Sequence, residues 1–304
     1  MIVSELGAPA LAARLRSGGL RVRTGPVVVN IESPLADVHA GLALHYAQHT
    51  VEPADGFADF HVRVDRPRSL RRWIKPQVIF RHDGAEPFTP LAGNQGFAVL
   101  EWGLNWCVST HCHQYLIVHA AVLERGGRAL ILPAPSGSGK STLCAALAFG
   151  GGWRLLSDEL ALIDPATGRV VALPRPVSLK NDSIDLMRRF APDAVFGAVV
   201  HETSKGEVAH ARAPAEGLLR ADQPALPAWV VLPRYLAGAP TQLAPLSRAR
   251  GFMALVDNAF NYHVHGRSGF ATFAGLIDRC ACHEFSYSSL PEAVTLFDRL
   301  ARSA

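Results

Sequence analysis

The segment Ala134-Pro135-Ser136-Gly137-Ser138-Gly139-Lys140-Ser141-Thr142 carries the residue types that hold a phosphate chain. It follows the pattern G-x-x-x-x-G-K-[ST], with Ala134 in place of the first glycine. Gly137 and Gly139 let backbone N–H groups turn inward around phosphate oxygens with no Cβ in the way. A helix that starts there offers its positive N-terminal end to the same anion. In this pattern the Lys140 ammonium reaches the β- and γ-phosphates and the Ser141 hydroxyl ligates Mg²⁺, while Ser136, Ser138 and Thr142 complete the candidate cradle. Average residue usage gives Gly-Lys-Ser by accident in roughly one chain in ten of this length, and a further glycine at position 137 lowers that to about one in a hundred. The flanking pattern decides for a nucleotide site: an apolar strand precedes the loop, and an amphipathic helix follows it. Ala134 bears on the loop's shape, because alanine resists positive φ.

Asp158-Glu159 begins 18 residues after Lys140, at the end of an apolar run. A strand end next to a phosphate loop is where a metal-holding carboxylate is expected. A second carboxylate there can accept the proton of an attacking hydroxyl. Spacing does not say which acid takes which part. His119 lies on a strand leading toward the loop, where a core histidine is the ordinary alternative to a functional one. Arg175 and Lys180, in Pro174-Arg175-Pro176-Val177-Ser178-Leu179-Lys180, and Lys205 are cations that could offset charge on a transferring phosphoryl group, or could be solvated surface charges.

The elements that must position these residues follow from periodicity. Leu116–Leu123 is a near-continuous apolar run, as in a buried strand, and Ala129–Leu132 pairs with it across the turn Arg125–Arg128. Lys140–Phe149 reads as a helix with Leu143, Ala146 and Leu147 inward, ended by Gly150-Gly151-Gly152, since glycine tolerates a left-handed cap. Trp153–Ser157 is the next strand, and 160–163 with 169–173 form a hairpin. Upstream, Val27–Val29, Phe60–Val64 and Val78–Phe80 read as strands and Phe97–Trp106 as a helix. Downstream, Ser247–Asn258, Phe270–Cys280 and Pro291–Ala301 read as helices, the last with Ser289 as cap, and His283–Tyr287 as a strand. Pro174–Lys180 reads as a proline-held loop. Residues 1–114 form a module without a catalytic signature, and 115–304 carry the loop.

Composition excludes other classes. The 304 residues are 49% hydrophobic and 18% charged, an ordinary globular mix. No apolar run reaches the roughly 18 residues of a membrane span, so no membrane role is expected. A net charge of +4 is too mild to argue for nucleic acid, and no dense Lys/Arg run with interleaved aromatics is read; Arg66-Pro67-Arg68 followed by Arg71-Arg72-Trp73 is a basic turn region. The N-terminus lacks a basic start followed by an apolar core, so no signal peptide is expected. The five cysteines, an odd number, then point to reduced thiols in the cytoplasm. His111-Cys112-His113 and Cys280-Ala281-Cys282-His283 lack the CxxC pairing of a zinc site and read as buried or incidental residues.

The order of features resembles a known family. His119 before a hairpin, Ser136-Gly137-Ser138-Gly139-Lys140-Ser141, a short helix and Leu155-Leu156-Ser157-Asp158-Glu159 are similar to the catalytic domain of HPr(Ser) kinase/phosphorylase over about 115–210. Phe60-His61-Val62-Arg63, Leu100-Glu101-Trp102-Gly103-Leu104-Asn105-Trp106, Pro174–Lys180 and Lys205-Gly206-Glu207-Val208-Ala209-His210 extend the resemblance, over most of the chain, to the HprK-related kinase A group. The resemblance implies an α/β fold: a phosphate-loop domain of the type shared with phosphoenolpyruvate carboxykinase, with an N-terminal α+β domain. It implies a serine-directed kinase, with Asp158 activating the acceptor hydroxyl and His119 near the site; ATP and Mg²⁺ are expected at the loop, and Glu159 is then the candidate for the metal side, although the two acids could exchange roles.

Two departures shape the expected acceptor. The family carries Asp-Asp where this chain has Asp158-Glu159, and its downstream Arg-Gly-rich signature is replaced by Pro174–Lys180. The acceptor expected is therefore a peptide or small protein other than HPr, and the resemblance also implies a homo-oligomer. The alternatives are a nucleotide-sensing module that does no chemistry and a small-molecule kinase.

Overall fold

The computed structural model describes residues 1–303. The N-terminal part builds a five-stranded sheet in chain order: β1 (Leu20–Thr24), β2 (Val27–Glu32), β3 (Phe60–Asp65), β4 (Gln77–His82) and β5 (Leu91–Ala92). All neighbours are antiparallel except β2 and β3. That parallel pair needs a crossover, supplied by α2 (Ala36–His45). Helices α1 (Gly7–Arg16) and α3 (Gly96–His111) pack beside α2. In β3, Phe60, Val62 and Val64 are buried while His61 and Arg63 are exposed, the alternation of a sheet with one wet face.

The second sheet is the centre of the molecule. Its strands are β6 (Leu116–Arg125), β7 (Arg128–Pro133), β8 (Arg154–Ser157), β9 (Leu160–Ile163) and β10 (Val170–Val171). A small third sheet is antiparallel: β11 (Val177–Lys180), β12 (Val200–Thr203) and β13 (Gly206–Ala211), in the order β11-β13-β12. The central sheet is completed by β14 (Leu226–Tyr235), β15 (Gln242–Pro245) and β16 (Ala281–Tyr287). Its order is β10-β9-β6-β7-β14-β16-β15, with β8 also paired to β6. β14 is parallel to both β7 and β16, and the other pairings are antiparallel, so the chain is an α/β protein with mixed sheets.

β6 is apolar throughout because both its faces are covered. Leu116, Val118, Ala120 and Val122 pack toward α7 (Arg248–Asp257) and α8 (Tyr262–Arg279). On the opposite face Ala121 and Leu123 meet α4 (Lys140–Gly150), α5 (Asp182–Phe190) and α9 (Leu290–Arg302). Ile117, on that same face, joins Leu160, Leu162 and Leu173 in the core of the N-terminal helices and sheet. A single core thus runs across position 114. Short α6 (Ala215–Leu219) packs on β8. Among the described residues no helix is long and apolar enough to cross a membrane. All five cysteines are buried and unpaired.

Several local expectations shift. Pro174–Lys180 is a loop only as far as Pro176; from Val177 it is strand β11, paired to β13. The helix expected from Phe270 begins at Tyr262, with a break at Gly266, where φ is +51°. Past α4, Gly151 has φ −100° and the left-handed position falls on Gly152, φ +66°. β14 holds Pro227 and Pro233, residues that argue against a central strand. The sheet accommodates them: pairing with β7 shifts register at Pro227 and ends at Val230, before Pro233.

Leu143 and Leu147 are fully buried on α4, between the central sheet and α9. Leu143→Ala is expected to lower unfolding free energy by about 2–5 kcal/mol, read from the denaturation midpoint, because the surrounding sheet and helices cannot collapse into the cavity.

Candidate functional site

β7 ends at Pro133, and six residues, 134–139, separate it from α4. Gly137 and Gly139 both have φ +88°, left-handed backbone that glycine alone adopts without strain. Ala134 is not among the positive-φ positions, so the missing first glycine leaves the loop unstrained there. The ends of β14 and β16 clamp the loop. The Tyr287 hydroxyl donates to Gly139 O at 2.8 Å, and the Tyr235 N–H donates to Ser138 O at 2.9 Å. A Cβ on Gly139 would sit 2.5 Å from the Tyr287 hydroxyl oxygen. The N–H of Leu143 reaches Gly139 O. The amides of Lys140, Ser141 and Thr142 belong to the helix's first turn, whose donors have no intrahelical acceptor.

Lys140 is 5% exposed, and its Nζ has no hydrogen-bond partner. Burial lowers its pKa, although Glu159 and Asp158 pull the other way. The side chain opens on a cavity of about 590 Å³, a usual size for a small-molecule site. Ser136, Gly137, Ser141, Thr142, Glu159, Lys180 and Lys205 also line it, with His119 on the rim of β6. Ser138 turns away, its hydroxyl buried and unpartnered.

The two acids, adjacent in sequence, differ in environment. The turn from β8 to β9 is pinned by the Leu160 N–H donating to Ser157 Oγ. Asp158 is buried, and its Oδ2 accepts the Ser178 N–H at 3.1 Å. Its Oδ1 has no hydrogen bond of good geometry, although the Ser141 hydroxyl lies close enough to draw its pKa down. Burial, then the Glu159 charge, outweigh that pull and raise the Asp158 pKa. Glu159 faces the cavity with its Oε2 3.1 Å from His119 Nε2. Burial alone would raise its pKa, but the His119 hydrogen bond, Lys140 and Lys180 together bring it below the ordinary value. One carboxyl thus sits against Ser141, and the other sits with a histidine on the cavity wall.

Lys180 ends β11, and Lys205 occupies the β12–β13 turn with its Nζ 5.1 Å from the Trp102 ring centroid. Arg175 does not join them. Its guanidinium points toward α3, where it bonds Asn105 and lies 3.8 Å from Glu101, whose other oxygen accepts the Tyr46 hydroxyl at 2.6 Å. A buried carboxylate therefore occupies the charge that the sequence offered to a phosphoryl group. Sequence reasoning missed Ser178, Ser204, Tyr235, Tyr287 and Leu290, which also line the cavity. They lie far from the loop in sequence, and although Ser178 falls within the Pro174–Lys180 stretch none of the five carried a role there, so only the folded chain brings them in.

Among the described residues no group of three or more His, Cys, Asp or Glu side chains is arranged to cage a metal. A divalent ion here would be one held by one or two side chains and by substrate phosphates, as Mg²⁺ usually is. No protein-family model matches the chain, and no curated protein is similar to it.

The loop geometry makes a graded expectation. Gly137→Ala, with open space at its Cβ, should lower stability by roughly 1–2 kcal/mol from the left-handed φ alone. Gly139→Ala adds the collision with Tyr287 and should lose clearly more. Equal denaturation midpoints for the two variants would contradict the clamp.

Proposed function

We propose that the protein is an ATP-dependent phosphotransferase that moves the γ-phosphoryl group to a hydroxyl, that of a serine side chain, on a peptide or small protein. The observation that carries the reading is the buried Lys140 ammonium without a partner, at the start of α4, behind two left-handed glycines. A phosphate chain supplies the missing partner, and the unbonded first-turn amides add donors of the right sign. The resemblance to the HPr(Ser) kinase/phosphorylase family, and to its HprK-related kinase A group, rests on the same segments and supports the same reading.

The residues fit Mg²⁺ as well as ATP: Asp158 Oδ1 is buried and unpartnered, and the Ser141 hydroxyl lies close to the same carboxyl. Bound there with the phosphates, the ion would neutralise charge on the transferring group. Ser141 and Asp158 hold the metal side. Glu159, on the cavity wall, orients the His119 imidazole, which receives the proton of the acceptor hydroxyl. The acceptor oxygen then bonds to phosphorus as the bond to the ADP oxygen breaks. Lys140, Lys180 and Lys205 stay in place to offset the charge on the phosphoryl oxygens. This geometry favours the exchange of the two carboxylate roles from the sequence expectation, in which Asp158 activated the hydroxyl. Arg175 has no part in it. The His119–Glu159 pair also favours transfer over a purely nucleotide-sensing role, which would not need a proton acceptor beside the phosphates.

Two substitutions separate binding from chemistry. Lys140→Ala should abolish ATP-induced thermal stabilisation, which for the parent is about 2.7 kcal/mol at a hundredfold excess over Kd. Glu159→Gln should keep that stabilisation and slow transfer by about 10²–10⁴, the usual worth of general-base catalysis, because it unpairs the His119 imidazole; the measure is ADP release with a serine-containing acceptor. An Asp158→Asn variant that loses only chemistry, with its Mg²⁺ dependence intact, would reverse the role assignment.

A further inference from the structure

Residues 66–76, between β3 and β4, read Arg-Pro-Arg-Ser-Leu-Arg-Arg-Trp-Ile-Lys-Pro. They hold five cationic side chains and no acidic one. The nearby carboxylates are already engaged: Asp65 by Arg63 and Arg81, and Glu86 by Arg81. Among the described residues the five cations have no ion pair of their own. The same strap exposes three large apolar side chains, Leu70 at 71%, Trp73 at 70% and Ile74 at 63%. Adjacent apolar groups so exposed mark an interaction surface.

The strap borders a groove of about 720 Å³, lined by Arg66, Arg71, Lys75, Gln95, Glu202 and Ser204 among others. Glu202 is its one carboxylate. Ser204 also lines the cavity that holds Lys140 and Glu159, so the groove and the cavity meet at the β12–β13 turn. That turn and the end of β12 are held at two points, by Gln95 Nε2 donating to Glu202 O at 3.2 Å and by the Lys205–Trp102 contact.

We propose that this strap and groove dock an acidic peptide segment, which then passes Ser204 and presents its hydroxyl to Glu159 and His119. The proposal deepens the kinase reading, which it needs for the fate of the peptide and not for its docking. Acidic side chains meet Arg71, Arg72 and Lys75, and apolar ones cover Leu70, Trp73 and Ile74. Charge complementarity excludes a second copy placed strap to strap, because the two straps repel. A flat anionic bilayer could touch the strap's tips but would leave the concave groove unfilled.

The test is fluorescence anisotropy with the full chain and a labelled synthetic peptide of glutamate, leucine and serine, against its counterpart with lysine for glutamate. The parent is expected to bind the acidic peptide only, and more weakly as salt screens the charges. Arg71→Glu combined with Lys75→Glu should weaken binding roughly tenfold or more, and the matching Gln pair should weaken it less. Parental affinity in both paired variants, or no preference for the acidic peptide, would overturn the proposal. So would tighter binding to a single-stranded oligonucleotide or to phosphatidylserine vesicles. ATP-induced thermal shifts report separately on the nucleotide reading: selective peptide binding without an ATP shift sustains the docking and sinks the kinase.

Discussion

Burying an ammonium group away from water is unfavourable unless partners replace the lost hydration. Lys140 is held in that condition at the start of α4, and the architecture around it keeps it there. Leu143 and Leu147 fix the helix against the central sheet, while Tyr287 and Tyr235 fix the loop before it. Glu159 and Asp158 offset part of the cost through their charge, without a hydrogen bond to Nζ. An anion at the helix start would meet the ammonium, the first-turn amides and the helix dipole together. The fold thereby leaves the Lys140 ammonium with an unmet interaction, which the proposed phosphate-bearing ligand would meet.

The N-terminal module has a physical link to this site. Arg175, Glu101, Tyr46 and Asn105 form a buried network between α2, α3 and the segment entering β11. His49 reinforces it, its Nε2 3.1 Å from Pro174 O, and burial pushes that imidazole down to about 4, so it stays neutral. Three residues beyond Arg175, the Ser178 amide donates to Asp158. Residues 46 and 101 therefore help to set where the Asp158 carboxyl stands, although neither lines the cavity. Trp102 of α3 and Gln95, which caps its start, hold the end of β12 and the turn that carries Lys205.

Much of the central architecture was legible because its physics is local. The β6–β7 hairpin, α4, the β9–β10 hairpin and the Ser289 cap of α9 each announce themselves within about a dozen residues, through apolar runs, glycine turns and a capping hydroxyl. β14 was hidden by its prolines, which the register shift and the early end of pairing with β7 make tolerable. β1, α1 and α2 were also unread; α2 has buried residues without a clean polar face, since α1 and α3 cover it from both sides. At the site, the loop, the acids, His119, Lys180 and Lys205 could be named from sequence. The direction of Arg175 could not, because its partner Glu101 lies 74 positions upstream. Nor could the different surroundings of Asp158 and Glu159, which depend on strand pairing rather than on spacing.

The most direct test of the central claim is the titration of the Lys140 ammonium, followed by nitrogen NMR on selectively labelled protein with and without ATP. Burial without a partner holds its pKa below the ordinary lysine value, and a phosphate chain against Nζ should raise it, by stabilising the charged form. An upward shift on adding ATP, with no matching change at Lys75, is the predicted result. A Lys140 pKa that is unmoved by saturating ATP would contradict the account.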